Sequence, residues 1–401
     1  MLFRAVCRKN GKNTRKSGSV GRIFPLVRLE LEGGLMYLMA MQKNTDENNI
    51  NRRPWPDTAP RFPTVPLRTG EFGNGVLVRM PNWLGDAVMA MPALMQLKKI
   101  LPLGCGLHVI CPAYMEPLFQ AMPIVTRVLP LADTHKFWGR AMHCRIHNLY
   151  FGAGILFNNS LRDALQLKLA GIPRLYGAAA RGRGVLLARS FRFPKIRKGR
   201  MHGIQHTDRY LAIIRALGAP DWNGELPEFV LPELPLPVPA EKLLTLAAGA
   251  AYGAAKRWPS ESFREVAAWW VEQGGTVAVL GSNGEHRIGE EVVSGLPADK
   301  VFNLCGKTDI PALMNILKHS RATAANDSGL MHLSAALGTP GVAVYGPTDY
   351  TSTSPISARW KILFDRQPCA PCFKRECASG AQCMKAITPE QVCFELAKEI
   401  S

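Results

Sequence analysis

No apolar run in this 401-residue chain approaches the ~18–20 residues that a membrane-spanning helix needs. The basic N-terminus has no signal-peptide core, because Arg22, Arg28, Glu30 and Glu32 interrupt its apolar residues. A soluble, cytoplasmic protein is therefore expected. Acidic residues are scarce, 31 against 49 Lys and Arg, and the net charge is +18. That excess points to an acidic partner: nucleic acid, an anionic membrane surface or a phosphorylated ligand. No G-x-G-x-x-G follows a strand pattern, which argues against nicotinamide chemistry. "NLCGKT" (303–308) ends like a P-loop, but Val301 stands where the first glycine belongs. No Asp-x-Asp occurs, so no divalent ion clamping a diphosphate is indicated, and no metal or cofactor is expected. No internal repeat is visible. No zinc-finger or RNA-recognition signature accompanies the basic charge, which makes nucleic acid an unfavoured partner.

Ten cysteines are present. Cys7, Cys105, Cys111, Cys144 and Cys305 are scattered and read as small packing residues. Cys369, Cys372, Cys377 and Cys383 crowd the C-terminal region. Their C-x2-C pair suits tetrahedral zinc, whereas the second pair is irregular for a ribbon or finger, so reduced packing or redox thiols are the favoured reading. Residues 1–72 carry 13 basic and 6 acidic residues with little periodicity. They read as a disordered basic extension, and Met36, Met39 and Met41 offer later starts.

The remaining chain alternates β-rich runs with helical patterns in two halves, 73–240 and 241–401. "GVLVRM" (75–80), "LHVIC" (107–111), "IVTRVLP" (124–130) and part of "NLYFGAGILF" (148–157) read as strands. Residues 85–100 and 160–171 read as helices. "ELPEFVLPELPLPVPAEK" (225–242) is too proline-rich for a helix interior or central strand and forms a stiff linker. The alternation restarts with "LLTLAAGA" (243–250) and ends in a helix from Thr388, whose Gln391 completes capping-box spacing. Such alternation predicts an α/β fold: two Rossmann-like domains with parallel sheets, facing across a cleft, with ligands beyond the strands' carboxyl ends.

Three stretches carry chemistry. In "NWLGDAVMAMPAL" (82–94) Asp86 stands in the first turn of an apolar helix. It either caps that helix or accepts a proton. In "NDSGLMHLSAALG" (326–338) a strand turns directly into a helix. The free amides of 328–330 form an anion site, and Gly329 admits a ligand close to the backbone. Asp327 would repel phosphate, so it accepts from sugar hydroxyls or orders the turn, and His332 lies nearby. An ordinary capped helix accounts for the same residues. In "AAGAAYGAAKRWP" (247–259) a small-residue loop leads to Lys256, a compact charge suited to a diphosphate.

Together with "FNNSLRDAL" (157–165), these motifs resemble the ADP-heptose–lipopolysaccharide heptosyltransferases, from about residue 75 onward. "CAPCFKREC" and "CMKAITPEQV" are most like the type II branch. The resemblance implies a GT-B glycosyltransferase that moves heptose from ADP-heptose to a heptosyl-Kdo–lipid A inner core, with inversion and without a metal. It assigns Asp86 as base, Lys256 to the donor diphosphate, and Asp327, Ser328, Gly329, Leu330 and His332 to the donor sugar and phosphate. Glu285 matches a ribose-binding acid loosely, and Asn159 and Ser160 fall to the acceptor. Ala251 and Tyr252 replace hydroxyl residues that some relatives carry before the lysine. The excess charge then fits a phosphorylated acceptor and peripheral contact with an anionic inner leaflet, for which "ARGRGVLLARSFRFPKIRKGRMHG" (180–203) is the candidate surface. The rivals are a type I heptosyltransferase, another nucleotide-sugar GT-B transferase or epimerase, and, from a different class, a nucleic-acid binder.

Overall fold

The computed structural model describes residues 26–31, 34–39, 55–194 and 203–399. Strands β1 (Leu26–Leu31) and β2 (Gly34–Met39) pair antiparallel as a separate two-stranded unit. The rest holds two six-stranded sheets. The first comprises β3 (Gly75–Arg79), β4 (Gly106–Pro112), β5 (Arg127–Leu131), β6 (Ala153–Leu156), β7 (Arg174–Ala178) and β8 (Arg189–Phe191). The second comprises β9 (Leu243–Ala247), β10 (Thr276–Val279), β11 (Val301–Asn303), β12 (Ala322–Asn326), β13 (Gly341–Tyr345) and β14 (Trp360–Phe364).

Every pairing within the two sheets is parallel. The orders are β5-β4-β3-β6-β7-β8 and β11-β10-β9-β12-β13-β14, so the same doubly wound order occurs twice. Strands covered by helices on both faces are apolar throughout, which is why β3, β4, β9 and β12 are buried along their whole length. In this order the chain leaves the sheet in opposite directions after the first and fourth strands. A crevice opens there, beyond the carboxyl ends of β3 and β6 in one lobe and of β9 and β12 in the other.

The lobes meet through apolar packing that continues from one to the other. Helix Leu84–Met89, after β3, packs against helix Gly329–Ala336, after β12. Glycines permit it. A Cβ on Gly85 would lie 2.7 Å from the His332 ring, and one on Gly329 would lie 3.0 Å from Leu84 Cβ.

Part of the expected N-terminal extension belongs to the first lobe. Trp55 packs on Trp222, and Phe62 packs on Phe191 and Phe193. Val65 N–H donates to Ala216 O (2.9 Å) and Leu67 N–H to Leu217 O (3.2 Å). This strap is extended because prolines hold it so, and it therefore carries no periodic signal. The rest of 1–54 lies outside the described residues, apart from the hairpin.

The basic stretch 180–203 is also corrected in part. Arg183 is fully buried, its guanidinium donating to Ala178 O (2.9 Å) and Asn158 O (2.6 Å), and Phe191 is in the core. These two residues cannot face a membrane. Residues 195–202 lie outside the described residues.

Gly85→Ala should lower stability by about 1–3 kcal/mol, because the buried His332 ring cannot move aside freely. Chemical denaturation measures it; an unchanged midpoint would mean that the helices are not held at this spacing.

Candidate active site

Each catalytic candidate sits just past the carboxyl end of a central strand. Arg79, the last residue of β3, is buried and paired with Asp163 (Nε to Oδ2, 2.7 Å). Its Nη2 also donates to Asn82 Oδ1 (2.7 Å), and Asn158 Nδ2 donates to Asp163. The "FNNSLRDAL" motif thus turns Asp163 inward to fix the loop that launches the Asp86 helix. Ser160 caps the helix Leu161–Leu169, accepting from Asp163 N–H (3.1 Å).

Asp86 makes no side-chain cap; Trp83 is the N-cap residue of its helix and also makes none. The Asp86 carboxylate instead meets His206, with Oδ1 3.0 Å from Nδ1 and each side chain 30% exposed. The bond ties the β3 crevice to helix His206–Arg215. Burial pushes the Asp86 carboxyl up. The hydrogen bond and charge of His206, together with His332 and Lys256, outweigh burial and hold it below its ordinary value. Burial, and then the charge of Asp86, push the Tyr210 hydroxyl well above 10.

These side chains line a cavity of about 400 Å³ that also includes Asn159, Ser160, Arg181 and Arg209. Arg209 Nε and Nη2 have no hydrogen-bond partner among the described residues, and the guanidinium lies 5.8 Å from the Phe193 ring. Asn159 and Ser160 therefore share one cavity with Asp86.

In the second lobe, Asn326 at the end of β12 knits three loops. Its Nδ2 donates to Ala248 O (2.7 Å), and its Oδ1 accepts from Trp258 N–H (2.9 Å). That brings Lys256 onto Asp327, Nζ to Oδ2 at 2.6 Å, with Thr348 Oγ1 donating to the same oxygen (2.6 Å). The pair is nearly buried, Lys256 12% and Asp327 6% exposed. Ser328 is the N-cap of helix Gly329–Ala336, accepting from Met331 N–H (3.4 Å), and Leu330 is half-buried on its first turn. Glu285 closes a capping box with Ser282 N–H (2.7 Å) and lies against Gly249, where a Cβ would sit 2.0 Å from its carboxylate.

His332 joins the two lobes. Its ring rests on Gly85 and is 3% exposed, and Nδ1 has no partner among the described residues. Burial lowers it to about 4; the charges of Asp327 and Asp86 oppose that, while Lys256 and His206 reinforce it. Charges from both lobes thus act on one imidazole.

The cysteine-rich loop packs behind Lys256. Tyr252 Oη donates to Phe373 O (2.8 Å), and Ala255 N–H donates to Arg375 O (2.9 Å). Burial, then the neighbouring thiols of Cys377, Cys369 and Cys372, push Cys383 up. All cysteines among the described residues are free, and none of these residues form a group of three or more His, Cys, Asp or Glu side chains able to hold a metal ion.

The family model for glycosyltransferase family 9 (heptosyltransferase) matches residues 140–382. This chain belongs to that family. It is 28% identical over 352 residues to lipopolysaccharide heptosyltransferase 2 of Escherichia coli (strain K12), covering 80% of this chain and 97% of that protein. It is also 28% identical over 312 residues to lipooligosaccharide heptosyltransferase 2 of Haemophilus influenzae, covering 72% and 88%. The solved E. coli ADP-heptose lps heptosyltransferase II superimposes with a TM-score of 0.68 at 26% identity, covering 81% of this chain and 98% of that one. E. coli heptosyltransferase WaaC with ADP shares the fold, with a TM-score of 0.62 at 17% identity and coverage of 81% and 99%. The family 9 chain is a glycosyltransferase of the GT-B architecture, two Rossmann-like lobes across a cleft.

His206, Tyr210, Arg209 and Thr348 have no counterpart among the residues singled out from sequence. "HTDRYLAIIRALG" (206–218) does carry helical spacing of Tyr210, Leu211, Ile213, Ile214 and Leu217 before a glycine stop.

Two outcomes follow from the buried charges. Lys256→Met strands Asp327 in a dry site and should destabilise the fold by roughly 3–5 kcal/mol, while Lys256→Arg should recover most of it; equal midpoints for all three proteins would contradict the buried pair. For His332 the unfolded chain takes up a proton below its ordinary 6.5, whereas the folded chain does so only near 4. Stability should therefore fall as pH drops from 6.5 to 4, with His332 contributing about 3 kcal/mol of that fall. His332→Gln should flatten the profile, and an unaltered slope would mean that the imidazole is not held neutral.

Proposed function

We propose that this chain transfers heptose from ADP-heptose to the heptosyl-Kdo–lipid A inner core of lipopolysaccharide, as a type II heptosyltransferase. The supporting observation is the contact of the Asp86 helix, through Gly85, with the His332 ring of the other lobe, whose helix starts beside the Lys256–Asp327 pair. Relatives named heptosyltransferase 2 cover most of the chain and support the same assignment.

The acceptor occupies the cavity with Asp86, Asn159 and Ser160. Arg181 and Arg209 give that cavity a positive wall for an anionic saccharide. The Asp86 carboxylate takes the proton of the acceptor hydroxyl as its oxygen bonds to the anomeric carbon; such a base contributes roughly 10²–10⁴-fold. The bond from that carbon to the β-phosphate breaks on the opposite face, so the anomeric centre inverts. Its electron pair leaves with ADP. Lys256 and the amides of Ser328, Gly329 and Leu330 meet the growing charge. No divalent ion is needed in this step, because fixed positive groups supply the electrostatics. Asp327 holds Lys256 in place and is positioned to accept from donor sugar hydroxyls, and Glu285 is positioned for the ribose. The basic surface supports peripheral docking at an anionic leaflet.

The experiment is ADP release from ADP-heptose by the purified chain with defined acceptors. Turnover is expected with a heptosyl-Kdo–lipid A acceptor and not with Kdo–lipid A alone. Preference for the acceptor lacking heptose would make it type I, and no turnover with either would overturn the proposal. Asp86→Asn should reduce turnover at least 10²-fold with ADP affinity retained; near-normal turnover would remove Asp86 as base.

A further inference from the structure

Asp86 is aimed by a residue whose own seat is built by the opposite lobe. We propose that His206 is the positioning residue for Asp86, and that contacts from the second lobe to the start of the His206 helix set this pair, so the base is organised only when the lobes are together. The inference rests on the glycosyl-transfer reading above.

The first observation is the pair itself. His206 Nδ1 lies 3.0 Å from Asp86 Oδ1, and no other side chain holds that oxygen among the described residues. The bond fixes one carboxylate oxygen and leaves Oδ2 for a substrate hydroxyl in the shared cavity. A short helix that offers Asp86 no cap contact leaves His206 as its orienting partner.

The second observation is independent of the first. His206 opens its helix, and Gln205 is the N-cap. The Gln205 side chain does two things at once: Oε1 accepts from Thr207 N–H, and Nε2 reaches across to donate to Ser354 O (2.8 Å). Two residues earlier, Gly203 N–H donates to Asp349 Oδ2 (2.9 Å), an oxygen that Ser352 Oγ also engages (2.9 Å). Asp349 is 1% exposed and is locked by Thr351 N–H (3.0 Å). A Cβ at Gly203 would lie 2.1 Å from Ser352 Oγ, so the Gly203 backbone sits directly against the Ser352 and Asp349 side chains. The turn 349–354 follows β13 in the second lobe, on the same side as Thr348 and Asp327. Separating the lobes would release Gln205 and Gly203, and with them the first turn that carries His206.

The groups facing Asp86 are His206 and Tyr210 from the His206 helix, His332 from the Gly329 helix and Lys256 from the loop after β9. With His206 gone, burial would act on the carboxyl against weaker opposition, and the acid would titrate higher. A purely structural role for His206 would not move that titration.

The test is the pH dependence of kcat, with ADP affinity and thermal stability measured in parallel. His206→Ala should lower kcat about 10²-fold, as misplacement of a reacting group does. It should also move the acid limb to higher pH, with ADP affinity unchanged. His206→Gln, whose amide can still donate to Asp86, should recover part of both. Gln205→Ala should lower kcat in the same direction while ADP still binds. If His206→Ala matches the wild type in kcat and acid limb, the inference is overturned and the functional reading stands. If Gln205→Ala is indistinguishable from wild type, the lobe coupling is overturned. If the wild type releases no ADP with any acceptor, the functional reading falls and takes the inference with it.

Discussion

The site depends on how closely two helices from different lobes approach. Helix Leu84–Met89 and helix Gly329–Ala336 touch through Gly85 and Gly329, and the His332 ring lies in the contact. A side chain at Gly85 would displace the His332 ring, and one at Gly329 would press on Leu84. With the contact in place, charges of both lobes act on one buried imidazole. Charges so placed act more strongly than in water, and they need little rearrangement when a reaction moves charge between them.

A repeated strand order puts these groups there. In both sheets the first and fourth strands are neighbours, and the chain turns away from each in opposite directions. The Asp86 segment and the Asn159–Ser160 segment leave one such crevice; the Lys256 loop and the Asp327 turn leave the other. Residues some 70 positions apart in sequence thereby become partners in each lobe. The two lobes differ in what they hold there. The first offers an acid, amides and arginines suited to a polar saccharide. The second offers a nearly buried Lys256–Asp327 ion pair beside the start of the Gly329–Ala336 helix.

Much of this was legible in the residues. Runs buried on both faces declare parallel strands, and the motifs around Asp86, Lys256 and Asp327 mark strand ends followed by helix starts. What the sequence left open is instructive. Asp86 in a first turn reads by itself as a cap, yet its carboxylate makes no cap bond and meets His206 instead. Asp163 has no role of its own legible within "FNNSLRDAL", yet it is turned inward by the buried Arg79. Arg183 looks like part of a basic surface, yet it is consumed by backbone carbonyls. His206 was missed because its partner lies 120 residues away on another element. The Pro-rich strap 55–72 carries no period, and its packing is visible only once Trp222 and Phe191 are in place.

The most direct measurement is a crystal structure of the Asp86→Asn protein with a non-transferring ADP-heptose analogue and the acceptor saccharide. The account predicts that the diphosphate lies on Lys256 and the amides after Asp327. It also predicts that the anomeric carbon lies between them and the accepting hydroxyl, with that hydroxyl within hydrogen-bond reach of side chain 86. A diphosphate bound away from Lys256, or an accepting hydroxyl remote from position 86, would contradict it.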